Sequence, residues 1–171
     1  MVKAAEGGGG IGIHVIESQS ELLPLIERSR QAPSGAFGSV RLYFERYLKG
    51  ASHIEVQLMG DEHGNLVHLF ERDCSVQRRN QKLIEETPSS AKLTPRLRRR
   101  VSSLALKLGQ FIKYSNAGTV EFLVSDDGSV YFLEMNTRLQ VEHGVTELIT
   151  GLDLVQLQLR VAAGAIGRAH V

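Results

Sequence analysis

The sequence predicts an α+β fold in two lobes, and three patterns predict it. Two stretches read as β-hairpins: His53–Met59 with Leu66–Phe70 around Asp61–Asn65, and Gly118–Val124 with Val130–Asn136 around Ser125–Ser129. Between them, Thr94 and Pro95 open a helix in cap and first-turn order. Its Leu97, Val101, Leu104, Leu108, Phe111 and Ile112 recur every three or four residues and predict the buried stripe. Lys49 and Gly50 separate a small lobe, residues 1–49, from a larger one, residues 50–171.

A chain of 171 residues is long enough to bury a core as one domain or two small lobes. A net charge of +1 gives no global reason to expect nucleic acid or a membrane surface as partner. One cysteine excludes an internal disulfide and argues against a cysteine-built metal site. No apolar run reaches the roughly 18 residues of a membrane span. The start has no signal-peptide apolar core. A glycine run within a few residues of Met1 is an abrupt beginning for a complete domain.

In the small lobe, Val2–Ala4 reads as the end of a strand. Gly7, Gly8, Gly9, Gly10 and Gly12 follow, broken by Ile11. Glycine amides approach anionic oxygens with no Cβ in the way, which suits a lid over phosphates. Glycine tracts are as often flexible linkers. No Lys-Ser or Lys-Thr follows, so this is not a P-loop, and from the residues alone the two readings stand level. A helix is expected from Ser20 to Gln31, with Leu22, Leu23, Leu25 and Ile26 on its apolar side. Ser18 and Glu21 have capping-box spacing, but Pro24 favours a start at Ser20. Val40–Leu48 is strand-like.

In the larger lobe, His53, Glu55 and Gln57 alternate with Ile54, Val56 and Leu58, so a strand there has one polar face and one apolar face. A lone strand histidine is by default a surface residue. The run from Glu71 to Lys82 is polar with no simple period, which predicts a solvated loop. Acids and amides flank Arg78 and Arg79 and weaken a nucleic-acid reading. Cys74 is expected to be a small packed residue. Arg96, Arg98, Arg99 and Arg100 are expected to be mostly solvated.

If Ser125 pairs with Val130, then Val124 faces Tyr131, Phe122 faces Leu133 and Glu121 faces Glu134. Val120, Phe122 and Val124 would then share an apolar face with Tyr131, Leu133 and Met135. Two opposed glutamates repel by up to about 1 kcal/mol, and burial would raise one of their pKa values. A divalent cation between them removes the conflict. Two carboxylates and the Asn136 amide oxygen form a hard set suited to Mg²⁺ or Mn²⁺. The plainer alternative is an exposed strand pair that tolerates like charges. Continued with a period of two, the stripe adds Arg138, Gln140 and Glu142 to the polar side and Leu139 and Val141 to the packed side. Arg138 suits a planar anion and Glu142 a general base toward it. One further helix, about residues 145–163, would bury Leu148, Leu152, Val155 and Leu159.

Lys3 with the glycine run, His53–Gln57, Arg72–Lys82, Gly118–Phe122 and Glu134–His143 together resemble the biotin carboxylase component of biotin-dependent carboxylases, over nearly the whole chain. The resemblance implies an ATP-grasp fold, with a small glycine-lid lobe and a larger antiparallel-sheet lobe flanked by helices. It implies a ligase that makes carboxyphosphate from Mg-ATP and bicarbonate and then carboxylates biotin. Lys3, Gly7, Gly8, Gly9 and Gly10 would contact ATP phosphates, and Glu45 to Leu48 would line the adenine hinge. His53, Gln77 and Asn80 would bind nucleotide. Glu121, Glu134 and Asn136 would hold Mg²⁺ or Mn²⁺ at two sites. Lys82, Arg138, Gln140 and Val141 would bind bicarbonate, and Glu142 would remove its proton. Biotin would arrive on a carrier domain or subunit, and a carboxyltransferase would choose the final acceptor. The parent is expected to be oligomeric and cytoplasmic, or in the mitochondrial matrix in a eukaryote.

The sequence departs from the family at Glu6 (often glycine), Ile11 (a basic residue), Arg46 (lysine), Asn80 (histidine in many members) and Gly144 (proline). The family's N-terminal domain, with a further ATP-contacting lysine, and its C-terminal domain, with the arginine that positions biotin, are expected partners without a counterpart here. The chain resembles the central piece of a larger enzyme, with weak activity or none alone. Another ATP-grasp ligase and a non-catalytic nucleotide-binding fragment are the alternatives.

Overall fold

Alternation and turn chemistry set the element order in the computed structural model, which describes residues 1–4, 13–31, 41–89 and 93–165. Along the chain run β1 (Val2–Ala4), β2 (Ile13–His14), a 3₁₀ turn (Gln19–Glu21), α1 (Leu22–Gln31), β3 (Leu42–Phe44), β4 (Ser52–Gly60), β5 (Leu66–Arg78), β6 (Gln81–Glu86), α2 (Pro95–Phe111), β7 (Asn116–Val124), β8 (Val130–Asn136), α3 (His143–Thr150) and α4 (Leu154–Ala162). The contacts divide into two units: residues 1–49 with Arg78–Gln81, and the remainder.

In the first unit, β1 lies between β2 and β3, antiparallel to both, with Val2 buried. The helical segment starts earlier than expected. Ser18 is the cap residue, and its hydroxyl donates to the Glu21 carboxylate at 3.1 Å. Leu23 is exposed, so the apolar side of α1 is narrower than the four residues expected.

The second unit is built on a five-stranded sheet in the order β6-β5-β4-β7-β8. Ile54, Val56 and Leu58 of β4 and Val120, Phe122 and Val124 of β7 bury one face against Val101 and Ala105 of α2. Each such side chain stabilises the fold by about 1.5–3 kcal/mol when fully buried. Thr94 caps α2 by accepting from the Leu97 N–H at 3.3 Å. Phe111 is 85% exposed and Ile112 is exposed, so the buried stripe ends one turn before the helix does. At one end of the opposite sheet face, Met59 and Ala117 pack under Leu154 and Val161 of α4.

Two one-residue bulges decide which side chains face which way. Val56 pairs with Glu71 but Leu58 pairs with His68, so β5 carries one extra residue near Phe70, whose φ is +65°. Beyond the bulge, Glu71 and Asp73 lie on the α2 side, and Arg72 and Cys74 lie on the other. Arg98 of α2 donates to Glu71 at 2.6 Å, and Ser89 donates to Asp73 at 2.7 Å. The Glu71–Lys82 run is therefore the end of one strand and the start of the next, not a solvated loop. Arg79 and Asn80, both with positive φ, form the tight turn between them.

The second bulge lies in β8. Glu121 pairs with Glu134 as expected, but Phe122 pairs with Phe132 and Val124 with Val130. The register at the turn is one residue away from the expected one: Val124, not Ser125, lies opposite Val130, Ser125 N–H donates to Ser129 O at 3.0 Å, and Gly128 takes φ +78°. The bulge at Leu133 restores the register before Glu134. It also replaces Tyr131 and Leu133 on the apolar face with Val130 and Phe132, and Phe132 meets the Phe122 ring edge-on.

The last predicted helix is two helices. Gly151, at φ +69°, ends α3, and its N–H bonds Glu147 O at 2.8 Å. Asp153 caps α4 by accepting from the Gln156 N–H at 2.7 Å. The break resets the helical phase. Thr146, Leu154 and Val161 are buried, whereas Leu148, Leu152, Val155 and Leu159 are exposed.

Candidate active site

Four neighbouring strands carry a polar row straight across the sheet. Arg72 of β5 pairs with Glu55 of β4, Glu55 with Glu121 of β7, and Glu121 with Glu134 of β8. The strand alternation that sends Ile54 and Val56 into the core sends His53, Glu55 and Gln57 to this face. Three carboxylates side by side repel unless positive charge sits among them.

Lys82 of β6 supplies that charge. Its ammonium lies 2.5 Å from Glu55, 2.9 Å from Glu121 and 2.7 Å from Glu142, at the N-cap of α3. Burial alone would favour neutral Lys82, but the Glu55 charge and the hydrogen bonds to Glu142 and Glu55 overcome it and raise its pKa far above the usual value. Glu142 is correspondingly lowered: its burial is outweighed by the Lys82 hydrogen bond and charge.

Glu121 is the best-held acid of the row. One oxygen accepts from Lys82, from Asn136 at 2.7 Å and from Gln140 at 3.1 Å; the other meets His53 Nε2 at 2.6 Å. Burial raises its pKa, but the His53 contact and Lys82 prevail and bring it down to about 2. Gln77 holds the far side of His53 at 2.7 Å. The histidine read as a surface residue is part of this network.

The structure thus gathers His53, Gln77, Lys82, Glu121, Asn136, Gln140 and Glu142. Glu134 is exposed and has no partner among the described residues. Chain 137–142 is not a strand, so the period of two stops at Asn136. Gln140 is buried, Val141 is 95% exposed rather than packed, and Arg138 is exposed with its guanidinium on Leu139 O at 3.2 Å. In the other unit, Lys3 pairs with Glu45, Leu48 is half-buried and Asn80 is exposed in its tight turn. Gly7 to Gly10 lie outside the described residues.

Sequence reasoning missed Glu55 and Arg72. Glu55 shares the His53–Gln57 face, and an acid facing Glu121 across the sheet was a findable conflict. Arg72 sits beyond a bulge that periodicity does not announce. Cys74 is buried as expected, and burial with the nearby Glu55 charge pushes its thiol pKa well up.

The carboxylates of Glu121 and Glu134 and the amide oxygen of Asn136 offer the hard donors that suit Mg²⁺, which leaves other positions to water and phosphates. Asn136 already turns its nitrogen toward Glu121, which leaves its oxygen for other partners. These residues fit such an ion. His53, Glu55 and Glu121 also bring ligand atoms within 4.8 Å of one another, where Lys82 now supplies the positive charge.

A family model described as the carbamoyl-phosphate synthase L chain, ATP binding domain, matches residues 1–168. Pyruvate carboxylase of Staphylococcus aureus is 53% identical over 165 residues, 96% of this chain and 14% of that protein. Biotin carboxylase 2 of Bacillus subtilis is 54% identical over 164 residues, 96% of this chain and 37% of that protein. The biotin carboxylase domain of Hydrogenobacter thermophilus 2-oxoglutarate carboxylase, solved with MgADP, ADP and bicarbonate, superposes with a TM-score of 0.90 at 49% identity, covering 98% of this chain and 37% of that one. The chain therefore spans between about a seventh and somewhat over a third of the length of these relatives.

Proposed function

The chain belongs to the family of carbamoyl-phosphate synthase L chain ATP-binding domains, and on that premise we propose that it is the Mg-ATP- and bicarbonate-binding part of a biotin carboxylase. It has the α+β ATP-grasp fold of its structural relatives. The observation that carries the reading is Lys82 among Glu55, Glu121 and Glu142, with Gln140 beside them.

A small anion takes its positive partner from Lys82 and hydrogen bonds from Gln140 and Arg138, with the Val141 backbone beside them. Glu142, held ionised by Lys82, is the base that removes the bicarbonate proton. Proton removal makes bicarbonate a better nucleophile toward the terminal phosphate of ATP; its oxygen bonds to that phosphorus as the bond to the bridging oxygen breaks, which gives carboxyphosphate and ADP. Glu121, Glu134 and Asn136 would hold Mg²⁺ or Mn²⁺, at two sites, and the metal would neutralise phosphate charge. His53, Gln77 and Asn80 contact nucleotide. Lys3 and Gly7 to Gly10 contact its phosphates, and Glu45 to Leu48 contact its base. Residues 1–49 form the small lobe and 50–171 the larger one in this reading.

Biotin, its carrier domain and the carboxyltransferase belong to the longer enzyme, which is oligomeric and cytoplasmic or in the mitochondrial matrix. No helix among the described residues is long and apolar enough to cross a membrane.

Calorimetric titration with Mg-ADP tests the reading. The chain is expected to bind, and Glu134→Ala to bind roughly tenfold or more weakly, as for a lost charged ligand. Absence of binding in both would overturn the proposal. Bicarbonate-dependent ATP cleavage by the longer enzyme separates it from another ATP-grasp ligase.

A further inference from the structure

Among the described residues, Arg72 is the largest side chain with no exposed surface. A buried guanidinium is costly unless each of its five N–H groups finds an acceptor. All five do. Nε donates to Glu55 at 2.5 Å. One terminal nitrogen donates to Gln57 and to Thr146, both at 2.8 Å. The other donates to Thr119 at 3.3 Å and to Gln140 at 3.5 Å. The acceptors come from β4, β7, α3 and the segment before α3.

These contacts have a directional consequence. A guanidinium only donates, so Gln140 must turn its oxygen to Arg72, and its NH₂ then faces the other way, where it reaches Glu121 at 3.1 Å. In the same way, one Glu55 oxygen is taken by Arg72, and the other is left to hold Lys82 at 2.5 Å. Thr146 lies one turn into α3, whose N-cap is Glu142.

We infer that Arg72 is the positioning residue of the anion site: it fixes the amide of Gln140 as a donor and the carboxylate of Glu55 as the anchor of Lys82. Arg72 touches no substrate and acts through these two neighbours. The inference rests on the bicarbonate reading above for what the site holds, but the orientation of Gln140 is a property of the chain alone.

Arg72→Lys keeps the charge and loses the fan of donors. With ¹³C-bicarbonate relaxation in the presence of Mg-ADP, the variant is expected to lose about tenfold in bicarbonate affinity. Its Mg-ADP affinity, by calorimetry, should change less than about twofold. Equal bicarbonate affinity in both proteins would overturn the inference. A wild-type chain that takes up no Mg-ADP overturns the bicarbonate reading instead. If Arg72→Lys fails to fold, the wild-type Gln140 side-chain amide decides by ¹⁵N NMR. Two resolved, slowly exchanging protons in one orientation support the inference, and a rotating amide sinks it.

Discussion

Gln77 places its side-chain nitrogen 2.7 Å from Nδ1 of His53, and this contact assigns the imidazole tautomer. The same nitrogen donates to the Cys74 carbonyl at 2.8 Å, so the amide presents N–H groups on this side. Nδ1 accepts, the proton rests on Nε2, and Nε2 donates to Glu121. Long-range ¹⁵N–¹H NMR should show the Nε2–H form. Gln77→Glu offers only an acceptor, so Nδ1 should no longer act as an acceptor in that variant. An Nδ1–H tautomer in the unsubstituted protein would count against the assignment.

The two opposed glutamates are predicted to differ in stability terms. Glu121 accepts from four groups, so Glu121→Gln leaves buried donors without partners and should cost about 2–4 kcal/mol. Glu134 is exposed. Glu134→Gln should cost less than about 0.5 kcal/mol. Urea denaturation of both variants checks the contrast, and equal costs would contradict it.

Acid should weaken the metal-free fold in a defined window. The Glu121 pKa is about 2 when folded, against 4.5 as its ordinary value. The ionised form is therefore favoured by folding. Its stabilisation, on the order of 3 kcal/mol, is complete above about pH 4.5 and fades as pH falls toward 2. Glu142, also lowered, acts in the same direction. Urea midpoints at pH 6 and pH 3 should fall steeply for the wild type and less for Glu121→Gln. Parallel curves would refute the attribution.

Two glycines should respond oppositely to alanine. A Cβ on Gly60 would meet the Tyr114 carbonyl oxygen at 2.5 Å and the Ser115 Cα at 3.2 Å, backbone atoms that cannot rotate away. Gly60→Ala should cost about 1–3 kcal/mol. A Cβ on Gly144 would meet nothing within 4 Å, and the residue lies in the first turn of α3. Gly144→Ala should leave stability unchanged or raise it by up to about 1 kcal/mol. Thermal melts of the pair would show it.

Periodicity read the β4 faces, the two hairpins and the cap of α2 correctly because each is a local pattern. The Glu121–Glu134 pairing was reached through a register that was wrong by one residue at the turn, and the Leu133 bulge supplied the correction. Arg72 and the Gly151 break were invisible for one shared reason. Each depends on where the chain changes phase, and a phase change costs one backbone residue rather than a recognisable motif. The polar run from Glu71 to Lys82 looked solvated because its partners lie on distant strands.

The extra residue near Phe70 makes the length of this segment a coded quantity. Deleting one residue there would leave composition almost unchanged yet exchange the two sides of the strand. Glu71 would turn to Lys82, and Arg72 would be driven into the apolar layer under α2. Replacing Phe70 with another side chain would touch a half-exposed ring and its edge-on contact with His68. In a library of variants, insertions and deletions between Leu66 and Lys82 should be purged far more harshly than substitutions at Phe70. The site depends on a residue count that no single side chain displays.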